Sequence, residues 1–313
     1  MKKYCFGIDV GGTTVKLGLF ETTGTLIDKW EIKTNTENFG ENILADICDA
    51  MDGKLGEKGI SLDEVEGVGI GLPGPITADG TVIQCVNLGW GTFNVVEKLS
   101  AMYHNLPVKA GNDANVAALG EAWQGGGKEF DSLVMITLGT GVGGGIILDG
   151  KILTGATGGG GEIGHMFIAQ DEELNCNCGR KGCLEQKTSA TGIVREAKRY
   201  MDKNSDTKMH EFGDAITAKD VLDLAKDGDK GALAVVDQMA DYLGLAMSHI
   251  AVVVNPDAFI IGGGVSKAGE FLTDKIGEQY VKYCFKPCGE AAIRLATLGN
   301  DAGMYGAAAQ IVL

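Results

Sequence analysis

The sequence predicts an α/β fold built by internal duplication. Three observations support this prediction. Strand patterns and helix patterns alternate along the chain of 313 residues. The hairpin pattern at residues 4–24, an apolar run, a Gly- and Thr-rich turn and a second apolar run, occurs again at residues 132–151. The chain is about twice as long as a usual domain, which favours two domains.

The elements of the first half follow in order. The hairpin is YCFGIDVGGTTVKLGLFETTG (4–24), and VEGVGIGLPGPI (65–76) then places a buried strand directly before a Gly-rich turn. LPVKAG is a further strand that ends near Gly111, where NDANVAALGEAWQGG begins a helix. We place the domain boundary at this point. The prediction is a smaller α/β domain of residues 1–111 plus 299–313 and a larger α/β domain of residues 112–298.

The second half repeats the plan. SLVMITLGTGVGGGIILDGK is the second hairpin, and PDAFIIGGGVSKAG (256–269) again places a strand before a Gly-rich turn. AVVDQMADYLGLAMSHIAVVVN (234–255) is apolar on most sides, which predicts a buried helix. We expect the last helix, DAGMYGAAAQIVL, to pack on the first domain. GTGVGG (139–144) matches the dinucleotide fingerprint, but a strand follows its glycines where that fingerprint requires a helix, so we reject that interpretation.

The charge of the chain restricts its partners. A formal net charge of −15 argues against a nucleic-acid surface or an anionic membrane partner, because either requires clustered Lys and Arg. MKKYCFGIDVGG enters a strand pattern without an apolar signal segment, and no long uncharged stretch predicts a membrane span. We therefore expect a cytoplasmic protein without nucleic-acid or membrane partners.

The turns DVGGTT and LGTGVGG are candidate phosphate sites. Each offers exposed amides and hydroxyls that could clasp the phosphates of a nucleotide, although two ordinary hairpin turns would have the same sequence. Asp9 ends the first strand and would face the phosphates as an outer partner of Mg²⁺, since Mg²⁺ tends to keep its waters.

Asp113 is the candidate general base. In GNDAN (111–115) it stands where a strand passes into a helix, a position where Asp commonly caps the helix. A carboxylate at such a turn can also accept the proton of a substrate hydroxyl during phosphoryl transfer. Position alone leaves both roles open.

One His and three Cys lie close together in GHMFIAQDEELNCNCGRKGCLE (164–185). His165, Cys176, Cys178 and Cys183 form a ligand set that suits a structural, tetrahedral Zn²⁺; the alternative is free thiols in a loop. Glu162 and Glu185 flank the ligands. A rigid loop would direct both carboxylates and the second nitrogen of His165 toward the hydroxyls of a polyol, unless these Glu residues are solvated surface charges.

The sequence is similar to the ROK family (repressors, open reading frames and sugar kinases). DVGGT, GIGLPGP, GNDAN, LGTGVGGG, GEIGH and CNCGRKGCLE occur in the order of that family and span most of the chain. The resemblance implies an actin-like, ribonuclease-H-like duplicated two-domain ATPase fold, related to hexokinase, with an interdomain cleft. It also implies MgATP as phosphoryl donor, a hexose as acceptor, bound Zn²⁺ and a homodimer.

The family motifs assign roles to individual residues by position. Asp113 matches the catalytic base that takes the proton of the sugar 6-hydroxyl. The matches to sugar contacts are Asn112, Asp113, Glu162, His165 and Glu185, and His165 is also a zinc ligand beside Cys176, Cys178 and Cys183. The matches to phosphate contacts are Gly11, Gly12, Thr13, Thr140 and Gly141, and the matches on the nucleoside side are Gly263 and Gly264. Asp9 joins these nucleotide contacts by its position at the end of the first strand.

The sugar and the donor leave alternatives. NDANVAALGEAWQGG and TSATGIV resemble runs of bacterial glucokinases, which favours D-glucose over mannose, fructose or an N-acetylhexosamine. A sugar-sensing repressor would need a DNA-binding domain before DVGGT, which begins at residue 9. A polyphosphate donor would call for a basic track that the sequence lacks. Residues 201–231 carry no family motif, and only helices and loops are expected there.

Overall fold

The computed structural model describes residues 1–313. Its contacts divide the chain into two compact units. The first consists of Met1–Asp131, Gly145–Gly161 and Leu298–Leu313, and the second of Ser132–Gly144 and Glu162–Thr297. No helix combines the length and the apolar character needed to cross a membrane.

The strands and helices alternate as predicted. The strands are β1 (Tyr4–Val10), β2 (Thr14–Glu21), β3 (Leu26–Lys33), β4 (Val65–Leu72), β5 (Thr81–Val82), β6 (Phe93–Asn94), β7 (Val108–Asn112), β8 (Leu133–Leu138), β9 (Val142–Leu148), β10 (Lys151–Ile152), β11 (Ala258–Gly262) and β12 (Ala292–Leu295). The α-helices are α1 (Ile43–Lys58), α2 (Val95–Met102), α3 (Asp113–Gln124), α4 (Glu185–Thr188), α5 (Ala190–Met201), α6 (Ala218–Lys226), α7 (Lys230–Val254), α8 (Glu270–Tyr283) and α9 (Ala302–Val312).

The two large sheets confirm the predicted duplication. The first has the order β3-β2-β1-β4-β7 and the second the order β10-β9-β8-β11-β12. In the first sheet β1 is antiparallel to β2 and parallel to β4, which is parallel to β7. In the second, β11 is parallel to both β8 and β12. Since parallel strands end at the same edge, Asp9 near the end of β1 and Asn112 at the end of β7 belong to one edge of the first sheet.

The chain passes from the first unit to the second later than the boundary expected at residue 112. The helix α3 belongs to the first unit because it packs closely on α9. A Cβ at Gly120 would lie 2.3 Å from the carbonyl oxygen of Ala302. The chain enters the second unit only at Ser132 and returns to the first for Gly145–Gly161, so a second crossing falls inside β9.

The helix α9 packs on the first sheet, as the sequence predicts. Glycines in the strands allow the two backbones to touch: a Cβ at Gly69 would lie 1.7 Å from the carbonyl oxygen of Ala307, and one at Gly7 would lie 2.0 Å from that of Met304. The same helix also packs on α3: a Cβ at Gly306 of α9 would lie 1.6 Å from the carbonyl oxygen of Val116 of α3. These contacts are with backbone atoms, which cannot move aside as a flexible side chain can.

Replacing Gly306 with Ala should therefore destabilise the protein by about 3 kcal/mol, because the helices must separate to accept one methyl group. Gly53→Ala in α1 is the matched control, since a Cβ there meets nothing within 4 Å. That control should gain about 0.5–1 kcal/mol from reduced backbone freedom in the unfolded chain. Urea unfolding of both variants measures the difference. Equal stability of the two variants would contradict the close packing of α3 and α9.

Candidate active site and metal site

The junction of β7 and α3 positions Asp113. The helix cap is Asn112, not Asp113: the Asn112 side chain accepts from the backbone N–H of Ala114 at 3.0 Å and of Asn115 at 3.2 Å. The Asn112 amide also donates to the carbonyl oxygen of Gly74 at 3.1 Å. Asp113 is exposed on the first turn and accepts from the N–H of Ala114 at 2.8 Å. A negative charge on the first turn of a helix interacts favourably with the helix dipole.

Asp9 lies near the end of β1, where it is largely enclosed. Burial raises the pKa of its carboxyl, the Lys16 ammonium at 3.9 Å opposes that rise, and the charge of Asp113 adds to it. A Cβ at Gly303 would lie 2.6 Å from the Asp9 carboxyl carbon, so glycine at the start of α9 makes room for this side chain. The two carboxylates therefore influence each other within the first unit.

The turn after Asp9 presents backbone to solvent. Gly11 donates to the carbonyl oxygen of Thr14 at 2.9 Å, and Gly12 and Thr13 are exposed. The buried Thr34 stabilises this turn, because its hydroxyl donates to the carbonyl oxygen of Gly11 at 2.7 Å. Sequence reasoning missed Thr34, which lies just beyond a third strand that was not predicted.

The turn between β8 and β9 is fixed by Glu185. Gly139 donates to the carbonyl oxygen of Gly141 at 3.0 Å, and Thr140 is exposed. One oxygen of the Glu185 carboxylate accepts from the N–H of Val142 at 3.0 Å, and a Cβ at Gly141 would lie 2.1 Å from it. Glu185 is thus half-buried and bonded to the turn, and it is not a solvated surface charge.

The predicted Cys and His ligands meet in the second unit. The ligand atoms of His165, Cys176, Cys178 and Cys183 all lie within 4.8 Å of one another. The sulfur atoms of Cys178 and Cys183 are 3.6 Å apart, and Cys176 Sγ is 3.8 Å from His165 Nδ1. This group of four can hold a metal ion.

Glycine and backbone hydrogen bonds shape the loop around the ligands. Gly179 and Gly182 have φ values of 85° and 77°, which side chains rarely adopt. The N–H of Cys176 donates to the carbonyl oxygen of Arg180 at 2.7 Å, which closes the turn between the Cys ligands. Glu162 is exposed, and its carbonyl oxygen accepts from the N–H of His165 at 3.1 Å.

A cavity of about 410 Å³ lies beside the end of β11. Its lining is Ala190, Thr217, Ala218, Lys219, Leu222, Asp223, Gly264, Val265, Lys267 and Ala268. Gly263 has a φ of 84°, and a Cβ there would lie 2.4 Å from the carbonyl oxygen of Leu138. Sequence reasoning assigned nothing to residues 217–223, although TAKD is a capping-box pattern that the structure forms with Thr217 and Asp220.

A second cavity, of about 340 Å³, joins the β8–β9 turn to the Cys loop. Its lining is Thr140, Gly141, Asn175, Cys176, Asn177, Glu185, Gln186, Ser189, Thr191, Gly192 and Arg195. The expected phosphate turn and the expected sugar contact Glu185 therefore face one space within the second unit.

Comparison with known proteins decides the family. The ROK family profile matches residues 5–312. The chain belongs to the ROK family. A glucokinase of Halalkalibacterium halodurans is 43% identical over 97% of this chain and 93% of the relative. An N-acetylgalactosamine kinase of a Shewanella species is 31% identical over 97% of this chain and 95% of the relative.

Solved structures place this ROK protein in the expected fold class. A ROK family glucokinase from Streptomyces griseus, in complex with glucose and AMPPNP, has a TM-score of 0.73 and 34% identity. The alignment covers 97% of this chain and 98% of that one. Together with the two sheets of matching order, this likeness confirms the actin-like, ribonuclease-H-like fold.

Proposed function

We propose that this chain is a glucokinase, which transfers the γ-phosphoryl group of ATP to the 6-hydroxyl of D-glucose. The observation that carries the proposal is the placement of Asp113. The Asp113 carboxylate is exposed on the first turn of α3, while the Asn112 side chain caps the helix. The 43% identity to a glucokinase, against 31% to an N-acetylgalactosamine kinase, supports glucose as the sugar. The homodimer expected from the family resemblance stays a prediction.

Asp113 acts as the general base in this proposal. Its carboxylate accepts the proton of the 6-hydroxyl while that oxygen forms a bond to the γ-phosphorus and the bond from phosphorus to the ADP oxygen breaks. Asn112 holds the junction in shape through its bonds to Ala114, Asn115 and Gly74, and it can still offer one amide hydrogen to the sugar.

Each of the two glycine turns offers, within its own unit, backbone groups that can contact the phosphates of the donor. Exposed backbone at Gly12, Thr13 and Thr140 suits phosphate oxygens, in a chain whose net charge is −15. Mg²⁺ bound with ATP would supply positive charge to the phosphates, and Asp9 would be its outer partner. The cavity of about 410 Å³ beside Gly264 has the size and the apolar lining that suit a nucleoside.

The Cys and His group binds a structural zinc ion in this proposal. Sulfur ligands about 2.3 Å from a tetrahedral zinc ion lie about 3.8 Å apart. The 3.6 Å between Cys178 and Cys183 fits this geometry. Four protein ligands leave no position for a reactive water, so the metal shapes the loop and takes no part in the chemistry.

Residues 162–185, which we call the metal loop, contain the proposed sugar contacts Glu162, His165 and Glu185. His165 Nδ1 faces the cysteines, which leaves Nε2 on the other side of the ring for a hydroxyl. The second oxygen of Glu185 lies 3.4 Å from Cys176 Sγ. A metal-bound thiolate has no proton to donate, so this oxygen is satisfied by a hydroxyl of the sugar.

A coupled assay with MgATP tests the proposal across glucose, mannose, fructose, N-acetylglucosamine and N-acetylmannosamine. We expect the highest kcat/KM with glucose, by roughly tenfold or more, since an inverted or missing hydroxyl leaves a carboxylate unpaired at a cost of about 1–3 kcal/mol. Polyphosphate replaces ATP in a parallel arm. Preference for an amino sugar or fructose would leave a hexose kinase and exclude a glucokinase.

A further inference from the structure

Six charged side chains form a cluster in the second unit, beside the metal loop. We call this group the ion cluster: Asp171, Glu172, Lys187, Arg195, Glu196 and Arg199. It contains three acidic and three basic groups, so its charges balance. The side chains of Glu172 and Lys187 are only 0% and 2% exposed. Charged groups are rarely buried so deeply unless each has a partner.

Glu172 is the centre of the ion cluster. Its two oxygens accept from the two terminal nitrogens of Arg199, each at 2.9 Å, which is the bidentate geometry of a strong pair. Lys187 lies 3.4 Å from the same carboxylate and Arg195 lies 3.6 Å from it. The hydrogen bonds of Arg199 are the main reason that the pKa of Glu172 falls to about 2. Glu172 is therefore charged at any pH near neutrality.

The ion cluster joins the metal loop to helices that hold no metal ligand. Glu172 lies in the chain between His165 and Cys176, whereas Lys187 lies on α4 and Arg199 on α5. Lys187 also donates to Glu196 on α5 at 3.1 Å. The loop thus has a second attachment, separate from the four Cys and His residues.

A chain of hydrogen bonds connects Glu172 with the residue next to the proposed sugar contact Glu185. Glu172 accepts from the N–H of Leu174 at 3.0 Å, and the carbonyl oxygen of Leu174 accepts from the Gln186 side chain at 2.8 Å. Gln186 in turn accepts from the N–H of Cys183 at 3.1 Å. Gln186 follows Glu185 directly, so the ion cluster, a metal ligand and a sugar contact are connected through three hydrogen bonds.

We propose that Glu172 is a positioning residue, which with Arg199 and Lys187 holds the metal loop in place through contacts separate from the four Cys and His residues. The proposal rests on the proposed function for its link to sugar binding. The Glu172 side chain is 0% exposed, so it is not itself a sugar contact in this proposal. It acts through Leu174 and Gln186 on the residues that are.

The test compares Glu172→Gln with Glu173→Gln in the metal-loaded chain. Gln keeps the shape of Glu172 and removes its charge, and Glu173 is the exposed neighbour. We expect Glu172→Gln to raise the sugar KM by roughly tenfold, since small displacements of binding groups have large effects, with the ATP KM and the metal content unchanged. Glu173→Gln should match the wild type. An unchanged sugar KM, with only a lower Tm, would overturn the proposal.

Arg199→Lys is a second variant that tests the same proposal if Glu172→Gln does not fold. Arg199 is 36% exposed, so this variant is expected to fold; it keeps the charge and loses the bidentate geometry. It should raise the sugar KM by roughly threefold with the ATP KM unchanged. A parallel rise in both KM values, or none in either, would count against the proposal.

The rate at which a chelator removes the metal tests the role of Glu172 without a measurement of kinase activity. The outcome therefore does not depend on the proposed function. If the wild type phosphorylates no hexose, the proposed function fails, and the release rate decides the role of Glu172. Faster release from Glu172→Gln than from Glu173→Gln supports a second attachment of the loop, and equal rates overturn it.

Discussion

Replacing Asp113 with Asn is expected to lower kcat for glucose phosphorylation by roughly 10² to 10⁴, with the glucose KM changed little. Asn has almost the same shape as Asp but cannot accept the proton of the 6-hydroxyl. The helix α3 keeps its cap, because Asn112 provides it. The loss of activity should therefore occur without a comparable loss of stability.

Asp49→Asn is the matched control for this prediction. Asp49 is an exposed carboxylate on α1 of the same unit, and its replacement should leave kcat unchanged. Steady-state kinetics and urea unfolding of the two variants separate catalysis from stability. Wild-type kcat in Asp113→Asn would show that Asp113 is not the base, and a large rise in the glucose KM would make it a binding residue.

The role of Asp113 illustrates what a sequence alone leaves open. In GNDAN, either Asn112 or Asp113 could cap the helix, and helix boundaries from sequence are uncertain by a residue or two. Once β7 ends at Asn112, the capping side chain is that of Asn112. The sequence predicted a polar cap at this junction, but the choice between Asn112 and Asp113 as the capping residue required the backbone.

The duplication was predictable because both of its signals are local. Apolar runs separated by Gly- and Thr-rich turns specify the two hairpins wherever they occur in a chain. The domain boundary was harder, since α3 has the same sequence pattern whichever unit it packs against. Its placement depends on the contact of Gly120 with α9, and the two are far apart in the sequence.

The nucleoside-sized cavity and the ion cluster were not predictable for a related reason. The cavity lining combines Ala190, Thr217 and Gly264, which no local motif connects. Lys187 lies in a charged, Gly-rich stretch that suggests an exposed lysine, yet its side chain is 2% exposed. Burial of a charge depends on where its partners lie after folding, and sequence spacing does not report that.

The Cys and His group was predictable because residues of these types are rare and lie close together in the sequence. The zinc ion proposed for this group gives the second prediction with a large effect. Cys178→Ser should lower the metal content from about one zinc ion per chain to near zero, because the apparent free energy of such sites is on the order of 10 kcal/mol and depends on all four ligands. Cys284→Ser, outside the group of four, should keep the metal. Elemental analysis of both purified variants provides the measurement.

Loss of the metal should affect the loop unevenly. The turn from Cys176 to Gly182 is shaped by left-handed glycines and a few backbone hydrogen bonds, whereas Glu172 remains paired with Arg199 at 2.9 Å. Hydrogen exchange in Cys178→Ser should therefore rise first at Cys176–Gly182 and stay slow in α5. The glucose KM should rise as His165 loses its orientation. Full activity in a variant without zinc would contradict a structural role for the metal, and uniform exchange across the loop and α5 would contradict the separate attachment by the ion cluster.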